Sequence, residues 1–430
     1  MFTDLPPALL VSTLLAALLL AQLMLRLWLL SRQMRHVARW RAHLPPALDG
    51  TVELAAHQRA ADYTLARGRL ALVEALLQTA LVTGWTLLGG LQALHEGLLA
   101  LLGPGLLQQL ALLAAFFAIG ALAEAPLVWW RTFRLEQRFG FNRTTLRLWL
   151  GDALKGAVLA AGLGLPLAAA VLTLMERGGP SWWLWAWAGW MAVVVTLSMV
   201  VPRWIAPWFN RFEPVPDEAL RTRLQRLLQR CGLQAEGLYV MDGSRRSAHA
   251  NAYFTGLGRA RRVVLFDTLL QQLSPEQVEA VLAHEIGHAR LHHIPRRLAL
   301  LALGSLVAWA ALAWLARQPW FYFGLGVTPD LAGGNAALAL LLFLLVLPLV
   351  GTWVAPLAAA LSRRDELAAD AFAARHTSAA ALAQALLALH RDNAATLTPD
   401  PWYVRFTYSH PPLLQRLQHL QALPRSAPSV

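Results

Sequence analysis

Residues 336–373 read AALALLLFLLVLPLVGTWVAPLAAALSRRDELAADAFA. The first part, 336–360, carries no charge and, as a helix, is long enough to cross the roughly 30 Å hydrocarbon core of a bilayer. The second part turns polar at Ser362 and sets Glu366 and Asp370 four residues apart, on one face of a continuing helix. A membrane span and a candidate for chemistry therefore adjoin in one stretch. Six further apolar runs of spanning length precede it, at 7–30, 70–90, 106–130, 154–175, 182–201 and 298–316. The first lacks a basic leader and is too long for a signal peptide's apolar core, so it reads as a span.

The whole composition agrees. Of 430 residues, 57% are hydrophobic and only 14% charged, too little charge to cover a set of soluble domains. The formal charge of +12 is carried almost entirely by arginine, since Lys155 is the only lysine. Those arginines fall between apolar runs, which favours an anionic membrane surface over nucleic acid as the partner. The single cysteine, Cys231, excludes a disulfide framework or a Cys-based zinc site within one chain.

Charge also orients the chain. The segment after the first span holds Arg32, Arg35, Arg39, Arg41, Arg59, Arg67 and Arg69. The segment after the third holds Arg131, Arg134, Arg138, Arg143 and Arg147. The segments after spans 2, 4 and 6 are short and nearly uncharged. The positive-inside rule then predicts an outside N-terminus and a cytoplasmic C-terminus. The reading is an all-α polytopic membrane protein in four sections. Spans 1–5 with basic loops fill 1–201, a polar segment 202–297, spans 6 and 7 298–360, and a second polar segment 361–430. The tail from 424 on reads as frayed. Glu74, Glu124 and Asp152 lie in or at the ends of spans, and ionisable groups at such depth are expected to face protein or water.

The first polar segment carries the chemistry. Ser274-Pro275-Glu276-Gln277 predicts a capped helix start, with Leu273 and Val278 placed as a hydrophobic staple. The helix continues through His284-Glu285-Ile286-Gly287-His288. His284 and His288 share one face and can hold one zinc ion per chain, at roughly 2.0–2.1 Å from each ring nitrogen. Glu285 points about 100° away and can reach a water beside the metal. The later metzincin ligand positions hold Leu291 and Ile294, so that pattern fails. His292 stands about 12 Å along the axis from His284, and three ligands on one straight helix cannot converge. His292 and His293 are expected to be interfacial or solvated. Glu366 is the candidate third ligand and Asp370 the acceptor that fixes a ligand histidine's tautomer. An exposed helix face is the competing reading of that pair. Antiparallel spans 6 and 7 would bring both sets to one membrane face.

With these residues in place, the chain resembles the CAAX prenyl protease 1 family of integral-membrane zinc metallopeptidases. The likeness extends to Tyr63-Thr64, Phe139-Gly140-Phe141-Asn142-Arg143-Thr144-Thr145 and Ile205–Phe212. It continues through Asn251-Ala252-Tyr253-Phe254-Thr255-Gly256 and Tyr408-Ser409-His410-Pro411-Pro412. The resemblance implies seven membrane helices around a water-filled chamber, with the zinc facing it near the cytosolic side. It implies His284, His288 and Glu366 as zinc ligands, Glu285 as base, and Asn251, His410 and Arg416 as residues lining the cleft. Residues 249–255 read as an extended strand, followed by a turn at 256–258 and a strand over 262–266. That exposed edge could hold a peptide as an added strand. His410 could donate to an oxyanion. Arg416 could bind a substrate carboxylate or a neighbouring acid.

These features predict metal-assisted hydrolysis of a peptide or protein substrate, lipidated or not, by an enzyme embedded in membrane lipid. The family's name activity removes three residues after a prenylated cysteine. The Ala-, Leu- and Arg-rich composition points instead to a high-GC bacterial genome and an inner-membrane enzyme, where a quality-control protease is the alternative. A non-hydrolytic chamber protein binding amphipathic ligands is the alternative of another class, but such a binder has no need of Glu285.

Overall fold

A computed structural model describes residues 6–255, 262–330 and 333–424. The turn expected at 256–258, and the expected tail past residue 424, lie outside them. The first half is helical: α1 (Pro7–Trp40), α2 (Leu54–Trp85), α3 (Gly90–Leu102), α4 (Leu106–Trp130), α5 (Leu146–Arg177) and α6 (Trp182–Val200). Among the described residues six helices are individually long and apolar enough to cross a membrane. The seventh span is the pair α2 and α3, bent by 52°. The bend falls at Gly89, whose φ of +75° suits glycine. All seven runs read from the sequence therefore form helices, most of them longer than the apolar run. The basic stretches after spans 1 and 3 are largely helical extensions rather than loops.

The polar segment folds as β1 (Phe212–Pro214), α7 (Glu218–Arg230), β2 (Gly237–Met241), β3 (Ala252–Thr255), β4 (Arg262–Phe266), α8 (Asp267–Gln272) and α9 (Pro275–Arg290). After it come α10 (His293–Leu315), α11 (Pro319–Gly324), α12 (Ala336–His376), α13 (Ala379–Asp392), α14 (Pro401–Thr407) and α15 (Leu413–Ala422). The strands form one sheet in the order β1-β2-β4-β3, with β2 and β4 parallel and the other pairs antiparallel. The expected strand over 249–255 begins only at Ala252, because the backbone before it turns to follow Phe141 and Asn393. β3 lies at the sheet edge.

Apolar packing gathers at two ends. One core joins α7, the sheet, α9, α13, α15 and the C-terminal turns of α12. The other joins α1, α4, α11 and the N-terminal turns of α12. Between them α12 is bare: Trp353, Val354, Leu357 and Leu361 are all exposed. The most apolar windows of α5 and α6 are only 6% buried each, against 44% for α12. Helices free on both faces are walls, with lipid on one side and an internal chamber on the other.

Two of the three acids in the spans meet partners. Glu74 pairs with Arg131, and Asp152 accepts both arms of Arg246 at 2.8 and 3.0 Å, tying α5 to the polar segment. Glu124 is exposed.

Candidate metal centre and cleft

The centre is built on α9. Ser274 Oγ accepts from Gln277 N, and Gln277 Oε1 accepts from Ser274 N at 3.0 Å, completing a capping box. Leu273 and Val278 are both buried beside it. This anchored start fixes the rotation of α9, so His284 and His288 face α12. Gly287 permits the close crossing. A Cβ there would stand 3.1 Å from Ala369 Cα and 3.2 Å from Phe372 Cβ.

At the crossing three donors converge. His284 Nε2 and His288 Nε2 lie 3.3 Å apart. Glu366 straddles the pair, with Oε2 3.3 Å from His284 Nε2 and Oε1 3.3 Å from His288 Nε2. Four ligands around one ion at about 2.0–2.1 Å from it form a tetrahedron with edges of about 3.3 Å, and His284, His288 and Glu366 converge closely enough to supply three of its corners. Glu366 Oε2 is buried and has no hydrogen bond among the described residues, an orphan that a cation would satisfy. Two imidazoles and one carboxylate with an open position is the donor set of a catalytic zinc site.

Each ligand histidine is held from behind. His284 Nδ1 lies 2.9 Å from Asp370 Oδ1. Asp370 in turn accepts Arg416 Nε at 2.8 Å and Nη2 at 2.5 Å, all three groups buried. Arg416 lines the cleft, as expected, but its guanidinium is taken up by Asp370. His288 Nδ1 lies 3.0 Å from His293 Nδ1, and His293 Nε2 lies 3.7 Å from Asp365 Oδ1. This corrects the expectation for His293, which is buried rather than solvated. The reason is local: His292, exposed, takes a left-handed conformation with φ +58°, breaks the helix and turns His293 back toward His288. A second histidine just past a helix end was the only signal in the sequence.

Burial shapes the titration. It disfavours the His284 cation, yet the Asp370 and Glu366 carboxylates outweigh it and hold the metal-free imidazole at about 9. Burial pushes the Glu285 carboxyl above its ordinary range, against the pull of His284 and His288. His410 is shifted down, burial outweighing Glu366.

A cavity of about 340 Å³ opens over the three ligand residues. Asn251, Glu285, His410 and Arg416 all line it, so the structure brings together every residue singled out for the cleft. His410 stands outside regular helix, with Nε2 3.4 Å from Glu366 Oε1. Asn251 Oδ1 accepts from Ala252 N at 2.9 Å. His390 was not foreseen. It lines the cavity from α13 and is held at about 4 by burial, and no motif surrounds it.

Two family models match successive parts of the chain. "CAAX prenyl protease N-terminal, five membrane helices" covers residues 33–211 and "Peptidase family M48" covers 214–423. The chain is 33% identical over 319 residues to the CAAX prenyl protease 1 homolog of Oryza sativa subsp. japonica, covering 74% of each. It is 30% identical over 400 residues to the CAAX prenyl protease 1 of Saccharomyces cerevisiae, covering 88% of each. It is similar in structure to S. mikatae Ste24p, with a TM-score of 0.88 and 27% identity over 97% of this chain and 99% of that one.

Proposed function

Given that the chain belongs to the CAAX prenyl protease 1 family and is a metalloendopeptidase, we propose that it binds one zinc ion through His284, His288 and Glu366 and cuts peptides laid along β3. The observation that carries the reading is the convergence of His284, His288 and the Glu366 carboxylate, in contacts of 3.3 Å, with Glu285 beside them at one cavity. Zinc, when bound, supplies Lewis-acid polarisation and a water of lowered pKa. Glu285 takes the attacking water's proton and returns it to the leaving amine. Burial of its carboxyl brings its basicity closer to neutral pH, where a general base works best. His410 donates to the oxygen that gains charge in the transition state. Edge strand β3 and Asn251 align the substrate backbone. Asp370 and Arg416 hold His284 in the tautomer that presents Nε2, and His293 does the same for His288.

The arginine-rich stretches after spans 1 and 3 support a cytoplasmic catalytic side and an outside N-terminus. The composition, with one lysine in 430 residues, favours a bacterial inner membrane and substrates without a prenyl group. Three measurements test these points. Metal analysis should give one zinc per chain, and a chelator should abolish peptide hydrolysis. Glu285→Gln should keep the zinc and lose at least about 100-fold in turnover; a zinc-loaded variant that still turns over would remove Glu285 as the base. A CAAX peptide with and without its prenyl group then decides substrate class.

A further inference from the structure

The catalytic cavity has a neighbour. A second cavity, of about 610 Å³, shares Asn393, Ala395, Thr396 and Tyr408 with it as wall residues. His249 lines the second cavity, while Ala250 and Asn251 line the first. The second cavity therefore lies off the N-terminal end of β3.

Strand polarity decides which end of a substrate enters it. Among the described residues only β4 pairs with β3 in the sheet, which leaves β3 as the edge strand. A peptide added antiparallel, the better-paired arrangement, runs from Thr255 toward Asn251 and on toward His249. Its C-terminal side then leads into the second cavity. An extended chain advances about 3.3 Å per residue, so a few residues past the cut suffice to reach it.

The walls suit an anion. The acidic and basic residues lining this cavity are Glu74, Arg67 and Arg131, and Glu74 and Arg131 pair with each other. Arg67 has no ion-pair partner among the described residues and lies over the Tyr63 ring at 5.5 Å. Glu136 accepts from the Tyr63 hydroxyl at 2.7 Å and shares an adjoining cavity with Arg67, though it does not line this one. Arg416, the other cation in the cleft, is already consumed by Asp370.

We propose that this cavity receives the C-terminal end of the substrate, and that Arg67 binds its terminal carboxylate. The proposal rests on the peptidase reading of the adjoining site. Charge-assisted hydrogen bonds of this kind are worth about tenfold or more in affinity.

The test uses the full-length, zinc-loaded Glu285→Gln protein in micelles, so that binding is read without turnover. Two peptides identical except for a free or an amidated C-terminus are titrated calorimetrically. The acid should bind at least about tenfold tighter than the amide. That ratio should fall to near one when Arg67→Gln is added and return in part with Arg67→Lys. Equal binding of acid and amide with Arg67 intact overturns the proposal, as does a preference that survives Arg67→Gln. If Arg67→Gln fails to fold, the acid–amide comparison with Arg67 intact still decides. Enzyme with Glu285 intact that cuts neither peptide while keeping the acid preference counts against the peptidase reading and not against this subsite.

Discussion

Metal uptake by this site should compete with protons, and the structure sets the window. In the metal-free protein His284 is buried, which disfavours its cation, but Asp370 and Glu366 hold its pKa at about 9, above the ordinary histidine range. A metal takes the neutral imidazole, so binding must release that proton. The sign follows: affinity rises with pH until about 9 and falls below it. At pH 7, two units lower, roughly one site in a hundred has His284 neutral. The apparent affinity is then on the order of 100-fold below its alkaline limit, and falls about tenfold more per further pH unit. Asp370→Asn removes the anion that stabilises the cation. It should weaken binding by about 10- to 100-fold at pH 9, because the carboxylate also makes His284 a better donor. The gap to the unmutated protein should shrink toward pH 6, where that protein carries the larger proton penalty. Chelator competition with zinc between pH 6 and 9.5 measures both curves, and a thermal melt at each pH controls for unfolding. A flat affinity in the unmutated protein, or equal slopes in both, would refute the assignment of His284 as a proton-gated ligand.

Other perturbations probe the remaining supports. His293→Ala should lower zinc affinity about 10- to 100-fold, while His292→Ala, exposed one residue earlier, should leave it unchanged; the same competition assay compares them. Gly287→Ala forces a Cβ to 3.1 Å from Ala369 Cα, which should cost about 1–3 kcal/mol through overpacking. It should lower both the melting temperature and zinc occupancy, and a variant normal in both would show that the close crossing does not set the ligand convergence. Arg416→Met should destabilise the fold by about 3–5 kcal/mol, because it leaves Asp370 charged and buried without its partner. Adding Asp370→Asn to it should recover part of the lost melting temperature.

Much of this was legible in the sequence because it rested on local patterns. Uncharged runs of spanning length give spans whatever surrounds them, and the capping box at Ser274 fixes where α9 begins. The i, i+4 spacing of His284 with His288 and of Glu366 with Asp370 fixes the faces that meet. What was not legible depends on contacts distant in sequence. α1 runs on to Trp40 and α12 to His376 because tertiary docking, not hydropathy, sustains their polar turns. β1 and β2 are too short and too mixed to announce themselves. His293 depends on one residue in a left-handed conformation. The strings that carry the family likeness outside the metal motif turn out to have structural roles. Phe141 stacks on His249 at 4.3 Å, Arg143 N donates to Arg246 O, and Tyr63 donates to Glu136. Together they hold the segment leading into β3 against the membrane helices, and so fix the approach to the cleft.

The distribution of the supports over the helices has a mechanical consequence. α12 supplies the third ligand, Glu366, and also Asp370, which backs His284, and Asp365, which backs His293 and through it His288. Asp365 further pairs with Arg296 and Arg297 on α10. The other end of α12 is locked into the second apolar core through Leu338, Leu341 and Leu342, while its middle is bare. A helix packed at both ends and free between them carries any change in its rotation to all three carboxylates at once. A rotation that moved Glu366 away from the histidine nitrogens would also withdraw Asp370 from His284 and Asp365 from His293. Ligand geometry and ligand tautomer are therefore coupled through one membrane helix. A substitution at the exposed Trp353 or Leu357, more than two turns from the site, should accordingly act on zinc affinity if it tilts α12 and not otherwise.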